Sequence, residues 1–172
     1  LSRFAAEWYN DDAELQLSAQ QIMWIEQGSI NEDADPRYLN HYYNPQSGQG
    51  LDDELMMGMS AKEWARKQNS ATGDYSESAI FYNYRQGNYR RAYEGIGHII
   101  HLIQDMAVPA HTRNDSHPEG DPFEKWASKN GKIDQDGLHK INITNLDKAF
   151  DGLAFYSSKN FYSKDTINFN KI

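Results

Sequence analysis

Between Asn88 and Ala107 apolar side chains come round almost every face of a helix, through Ile96, Ile99, Ile100, Leu102, Ile103 and Met106. An all-round pattern of this kind belongs to a helix buried within a bundle, and it predicts that this segment is the centre of the fold. Val108-Pro109 ends it, because proline disfavours helical geometry in the residue before it. Upstream, Phe4, Trp8, Leu15, Leu17, Ile22, Met23 and Ile25 predict helix from Arg3 to about Gly28, broken near Asn10-Asp11-Asp12, with Gly28 as its stop. From Ser29 to Gly50 no period is sustained, and Asp35-Pro36, Asn44-Pro45 and Ser47-Gly48 mark turns, so a long irregular loop is expected. Loops of that length inside a domain are usually functional or disordered.

Further helices are predicted from a capping box at Ser60-Ala-Lys-Glu63 through about Asn69, with Trp64 inward, and over Tyr75 to Tyr84. Gly87 separates the second of these from the central helix, which Asn88 caps. Asp121-Pro122-Phe123-Glu124 opens a short helix to about Asn130-Gly131, and a last one starts at Asn145 or Asp147 and runs through Tyr156. Lys132 to Asn142 is ambiguous, and the aromatic tail from Phe161 has either the bundle or a larger unit to dock on. The expected fold is all-α, a multi-helix bundle around one buried helix, in a single domain spanning 1–172. That length suffices for a hydrophobic core.

Composition narrows the chemistry. There is no cysteine, so disulfides and thiolate metal sites are excluded, and any metal must be held by His, Asp, Glu or backbone groups. Such ligands suit zinc, manganese or iron. A formal charge of −8 argues against a broad basic groove for nucleic acid, although bound divalent cations would reverse the sign of an acidic cleft. No run of about 18 apolar residues predicts a spanning helix. Leu1 does not begin a signal sequence, and the absent initiator methionine points to a processed or trimmed chain. Asn142-Ile143-Thr144 matches a glycosylation sequon, a three-residue pattern of little weight.

The segment HLIQDMAVPAH, residues 101–111, carries the main chemical signal. Two imidazoles and a carboxylate at the end of an apolar helix need partners, since each polar group taken from water costs roughly 2–7 kcal/mol when unpaired. A metal ion is the expected partner. His101 and Asp105 are four residues apart and face the same way, so both can reach one ion. His111, beyond the proline turn, is placed for a second. His117-Pro-Glu-Gly-Asp121 repeats the HxxxD spacing and could complete that second ion; Asp33 and His41 offer a carboxylate and an imidazole to the first. Asp121 has a structural alternative of equal weight, as the N-cap of an Asp-Pro-x-Glu helix start, and Glu124 is then the substitute ligand. His98 and His139 are read as hydrogen-bonded interior residues, with His98 also a candidate to orient a ligand.

HLIQDMAVPAH resembles the signature of zinc-dependent phospholipase C and the related fungal-type single-strand nucleases. The likeness extends to the segment EQGSINED, residues 26–33, similar to the family segment that carries an active-site Asp, and to NHYYNP, residues 40–45, similar to one whose His is a ligand. It covers roughly Met23 to Trp126. The resemblance implies that His41, His101 and Asp105 hold one zinc, that His111, His117 and Asp121 hold another, and that Asp33 ligates or orients the attacking water. It departs from the family in the short interval between His111 and His117. The family also binds a third zinc through an N-terminal Trp and an early His, whereas Leu1 is not Trp and no His precedes His41. Either upstream sequence supplies the third site or the chain works with two zinc ions, the number expected here, in which case Asp105 serves one.

The function so implied is zinc-dependent phosphodiester hydrolysis of the phospholipase C class, with a metal-activated water attacking a phospholipid headgroup. Single-strand nuclease activity is the enzymatic alternative, and a helical domain with a structural or vestigial metal site is the non-enzymatic one. Tyr42 and Tyr43 are expected to line an alkyl, choline or base pocket, or to serve as packing. The resemblance implies a secreted or periplasmic location.

Overall fold

A computed structural model describes residues 1–11, 13–52, 57–68, 71–118, 120–132 and 145–163. The described residues form eight α-helices and one 3₁₀ turn: α1 (Ser2–Asn10), α2 (Ala19–Glu32), the turn Arg37–Asn40, α3 (Ala61–Arg66), α4 (Glu77–Arg85), α5 (Tyr89–Asp105), α6 (Pro109–Thr112), α7 (Pro122–Asn130) and α8 (Leu146–Asn160). His139, the 142–144 sequon, most of the ambiguous 132–142 stretch and the tail beyond Ser163 lie outside the described residues. Among the described residues no helix is long and apolar enough to cross a membrane.

The all-α expectation holds, and α5 is its axis, packing against α1, α2, α3, α4 and α8. Its Ile99 and Leu102, with Met106 just past its end, join Tyr43, Trp64, Phe150 and Ala154 in the buried core. Trp64 faces inward as its pattern predicts. Gly87 turns the chain between α4 and α5 with φ +75°, a backbone that glycine adopts without cost.

The principal correction concerns Gly28. It does not stop a helix but sits inside α2, which runs on to Glu32 behind a Ser18–Gln21 capping box. A Cβ at Gly28 would lie 1.9 Å from the Glu94 carbonyl oxygen, and one at Gly97 would lie 2.0 Å from that of Ile25. Two glycines thus let α2 and α5 cross backbone to backbone. That approach carries Glu32 and Asp33, at the C-terminal end of α2, onto the face of α5 that bears His98 and His101. The loop expected over 29–50 is accordingly shorter, with its first residues helical and a 3₁₀ turn within it.

The other differences are at helix ends. α3 stops at Arg66, where Lys67 turns to extended geometry. At its start Ser60 accepts from the Glu63 amide while its hydroxyl bonds the Glu63 carboxylate. α5 ends at Asp105 and not at Ala107, because Met106, Ala107 and Val108 donate to carbonyls three residues back as the chain tightens before Pro109. α8 continues to Asn160, from the predicted Asn145 cap.

Candidate metal centre

Helical spacing puts His101 and Asp105 one turn apart on α5, and the tight turn after Asp105 lets α6 fold back so that His111 returns to the same place. A reciprocal pair of bonds fixes this return. The Tyr43 amide donates to the His111 carbonyl at 3.0 Å, and the His111 Nδ1–H donates to the His41 carbonyl at 2.9 Å. The segment carrying His41 and Tyr42 is therefore stitched to α6, and Asp33 reaches the site as the C-cap of α2.

The donor atoms assemble into three overlapping groups: Asp33, His41 and His101; His41, Asp105 and His111; His111, His117 and Glu124. Within each group all of them lie within 4.8 Å of one another. Around the first group, His41 Nδ1 is 3.1 Å from Asp105 Oδ2 and 3.9 Å from Asp33 Oδ1. His101 Nε2 is 3.4 Å from Asp105 Oδ2 and 3.3 Å from Asp33 Oδ1. Tetrahedral bonds of about 2.0–2.1 Å to a central ion separate the donors by about 3.3–3.4 Å. Three of these four separations, from 3.1 to 3.4 Å, are close to that of co-ligands. Asp105 Oδ2 and His111 Nε2 are, moreover, buried without a hydrogen-bond partner, a costly arrangement unless a cation completes it.

In the last group, His111 Nε2 and His117 Nε2 each lie 3.5 Å from a Glu124 carboxylate oxygen. Both rings have their Nδ1 against a backbone carbonyl, His111 on His41 and His117 on Asp115 at 3.0 Å. Protons held there leave the Nε2 lone pairs free for an ion, the usual way in which an outer partner selects the ligating nitrogen. Tyr42 stacks on His111 with ring centroids 4.8 Å apart, and its hydroxyl lies 3.3 Å from His117 Nδ1.

Asp33, His41, His101, Asp105, His111 and His117 are thus brought together, and Asp121 is not. The Asp121 carboxylate caps α7, accepting from the Phe123 and Glu124 amides at 2.7 and 3.1 Å. The HxxxD spacing failed here because Gly120, at φ +86°, and Pro122 break the chain into a turn and a new helix start. Asp121 serves the backbone, and Glu124 is carried round to the two imidazoles. Tyr43 is also not a site residue: it lies in the core and its hydroxyl donates to Asp151 at 2.6 Å.

Sequence reasoning missed Glu32. It is fully buried and accepts from Arg37, from Trp64 Nε1 at 2.8 Å and from His98, with its Oε1 also 3.6 Å from His41 Nε2. His98 is the hydrogen-bonded interior residue that was expected, stacked on Tyr75 at 3.8 Å. Nothing in the local pattern distinguishes Glu32 from a surface glutamate at a helix end.

Electrostatics follow from this crowding. Burial weighs against a charged His41, but the Asp105 and Glu32 carboxylates outweigh it and raise the ring to about 10. His101 is raised in the same way, burial being overcome by Asp33 and Asp105. Burial pushes Asp105 up, and the imidazoles of His111, His41 and His101 more than reverse that, so it stays ionised. Glu124 is held well below the usual range by His111 and His117. Each proton shared in these pairs occupies a place that a divalent cation can take.

The groups line a cavity of about 400 Å³, with Tyr38, Tyr42, Leu51 and Pro118 as its remaining walls. No lysine or arginine is among the lining residues. Buried His, Asp and Glu side chains that can hold metal thus open onto a space where a small ligand can reach them. No protein-family model matches the chain, and no curated protein matches it.

Proposed function

We propose that the chain is a zinc-dependent phosphodiester hydrolase resembling phospholipase C, acting on a phospholipid headgroup. The observation that carries this reading is that three overlapping three-donor groups of His, Asp and Glu line one cavity. In this reading His41, His101 and Asp105 hold one zinc ion with Asp33 beside it, and His111, His117 and Glu124 hold the other. Nitrogen and oxygen donors at tetrahedral spacing suit zinc. Three protein donors is also the number found where a position is kept for reaction, which favours a catalytic over a purely structural site. Zinc bound here would lower the pKa of a coordinated water to about 7 and offset charge developing on a phosphoryl group.

The chain's own groups supply the rest. Asp33, whose side chain is 69% exposed, is the carboxylate at the solvent edge of the first group, placed to orient an entering water and accept its proton. With no lysine or arginine among the lining residues, and with the imidazoles engaged as ligands, a phosphate in this cavity depends on the bound ions for its neutralisation. Tyr38, Tyr42 and Leu51 offer rings and an alkyl surface to the remainder of the substrate. The motif resemblance and the absence of a basic groove on a chain of net charge −8 support a headgroup over a polynucleotide.

Parallel assays of the zinc-loaded chain on a chromogenic phosphocholine ester and on single-stranded DNA test this. Turnover of the ester is expected, falling roughly 10²–10⁴-fold in Asp33→Asn. Cleavage of DNA alone would replace the substrate class, and activity on neither would leave a structural metal site.

A further inference from the structure

We infer that Glu32 is a positioning residue for the metal centre, fixing which nitrogen of His41 faces the ion. The inference rests on the reading that the His41 group binds a metal, and not on the phosphodiester reaction.

The two oxygens of Glu32 have separate duties. Oε2 accepts from Arg37 Nε at 2.8 Å and Nη2 at 2.6 Å, and from His98 Nδ1. Oε1 accepts from Trp64 Nε1 at 2.8 Å and faces His41 Nε2 at 3.6 Å. Arg37 is itself immobilised, donating to Gln68, Thr72 and the Gly73 carbonyl while its guanidinium lies over the Trp64 and Tyr75 rings. The carboxylate that His41 meets therefore has no freedom to turn away.

His41 needs such a partner. Its Nδ1 points at Asp105 and Asp33, whereas its Nε2 is buried with no hydrogen bond. A neutral imidazole carries one proton, and only the other nitrogen can ligate. A fixed carboxylate on the Nε2 side keeps the proton there and leaves the Nδ1 lone pair toward the cation; partners of this kind typically contribute 10–100-fold to metal affinity. A buried ion pair such as Glu32–Arg37 is in general no more stabilising than well-packed apolar residues of the same volume, so stability alone gives no reason for a fully buried glutamate at this place.

The test compares Glu32→Gln with Trp64→Phe, which removes one donor to Glu32 but keeps its charge. Zinc affinity is measured by competition with a chromophoric chelator and folding by circular dichroism. Glu32→Gln is expected to weaken the site that contains His41 10–100-fold and leave the other unchanged. Trp64→Phe is expected to lower the melting temperature with zinc affinity preserved. Unchanged zinc affinity in a folded Glu32→Gln chain would overturn the inference, because a merely structural Glu32 lowers stability alone. Should Glu32→Gln not fold, nitrogen-15 spectra of wild-type chain loaded with cadmium-113 decide it: cadmium coupling is expected at His41 Nδ1 with a proton on Nε2, and coupling at Nε2 overturns it. A chain that binds zinc in this way but cleaves no phosphodiester leaves the inference standing and removes the proposed reaction; one that binds no metal removes both.

Discussion

Raising the pH from 7 to 9 should tighten zinc binding at the His41 group by about a hundredfold. The His41 ring titrates at about 10 because the Asp105 and Glu32 carboxylates outweigh the cost of burying its charge. Zinc needs the Nδ1 lone pair, so below that pH every binding event at this site expels a proton. One displaced proton gives tenfold in affinity per pH unit, or roughly 2.7 kcal/mol over two units. His101, also raised, steepens the dependence below its own titration. The assay is a competition titration against a chelator of known pH profile, with calorimetry in buffers of different ionisation enthalpy to count the protons released. An affinity that stays flat from pH 7 to 9 would refute the argument, since it would mean that His41 carries no proton for the metal to displace. The metal-free chain should respond in the opposite sense. A raised folded-state pKa stabilises fully below the unfolded value of about 6.5 and is lost as pH rises through about 10, so the metal-free protein should weaken over that window while the zinc form does not.

Three substitutions probe the rest of the architecture. Glu124→Gln should remove one bound ion while leaving the fold intact, because the carboxylate serves both His111 and His117 and is itself half-buried at a helix start. Asp121→Ala should do the reverse, costing about 1 kcal/mol through the lost helix cap with metal content unchanged; metal analysis that reverses the pair would return Asp121 to the site. Gly97→Ala should destabilise the chain by about 1–3 kcal/mol or more, since the added methyl meets the Ile25 carbonyl at 2.0 Å. An unmoved urea midpoint would mean that α2 and α5 do not cross so closely.

The parts of this site that could be read from sequence are those written in local periodicity. His101 and Asp105 share a helical face by spacing alone, and Pro109 announces the turn that releases His111. Asp33 and His41 were offered by residue type in a turn-rich stretch and tied to specific roles only by motif resemblance, because no period links a helix cap and a loop to a helix about sixty residues away. Two features were illegible. Gly28 looks like a stop signal in isolation, and only its crossing partner Gly97 reveals it as a contact point. Glu32 is equally silent, as its burial is created by residues from Arg37 to His98 that converge only in the fold. The difference between Asp121 and Glu124 turned on a backbone detail: both fit the letters, and the positive φ of Gly120 with the start of α7 at Pro122 puts Glu124, and not Asp121, beside the two imidazoles.

The most direct measurement is the metal content of the purified, folded chain, by elemental analysis and native mass spectrometry together. About two zinc ions per chain are expected from the proposed reading, in which His101 serves one ion and Glu124 the other, and the count should fall when His101 or Glu124 is replaced. A chain that is fully folded and retains no metal after incubation with zinc would contradict the metal centre itself.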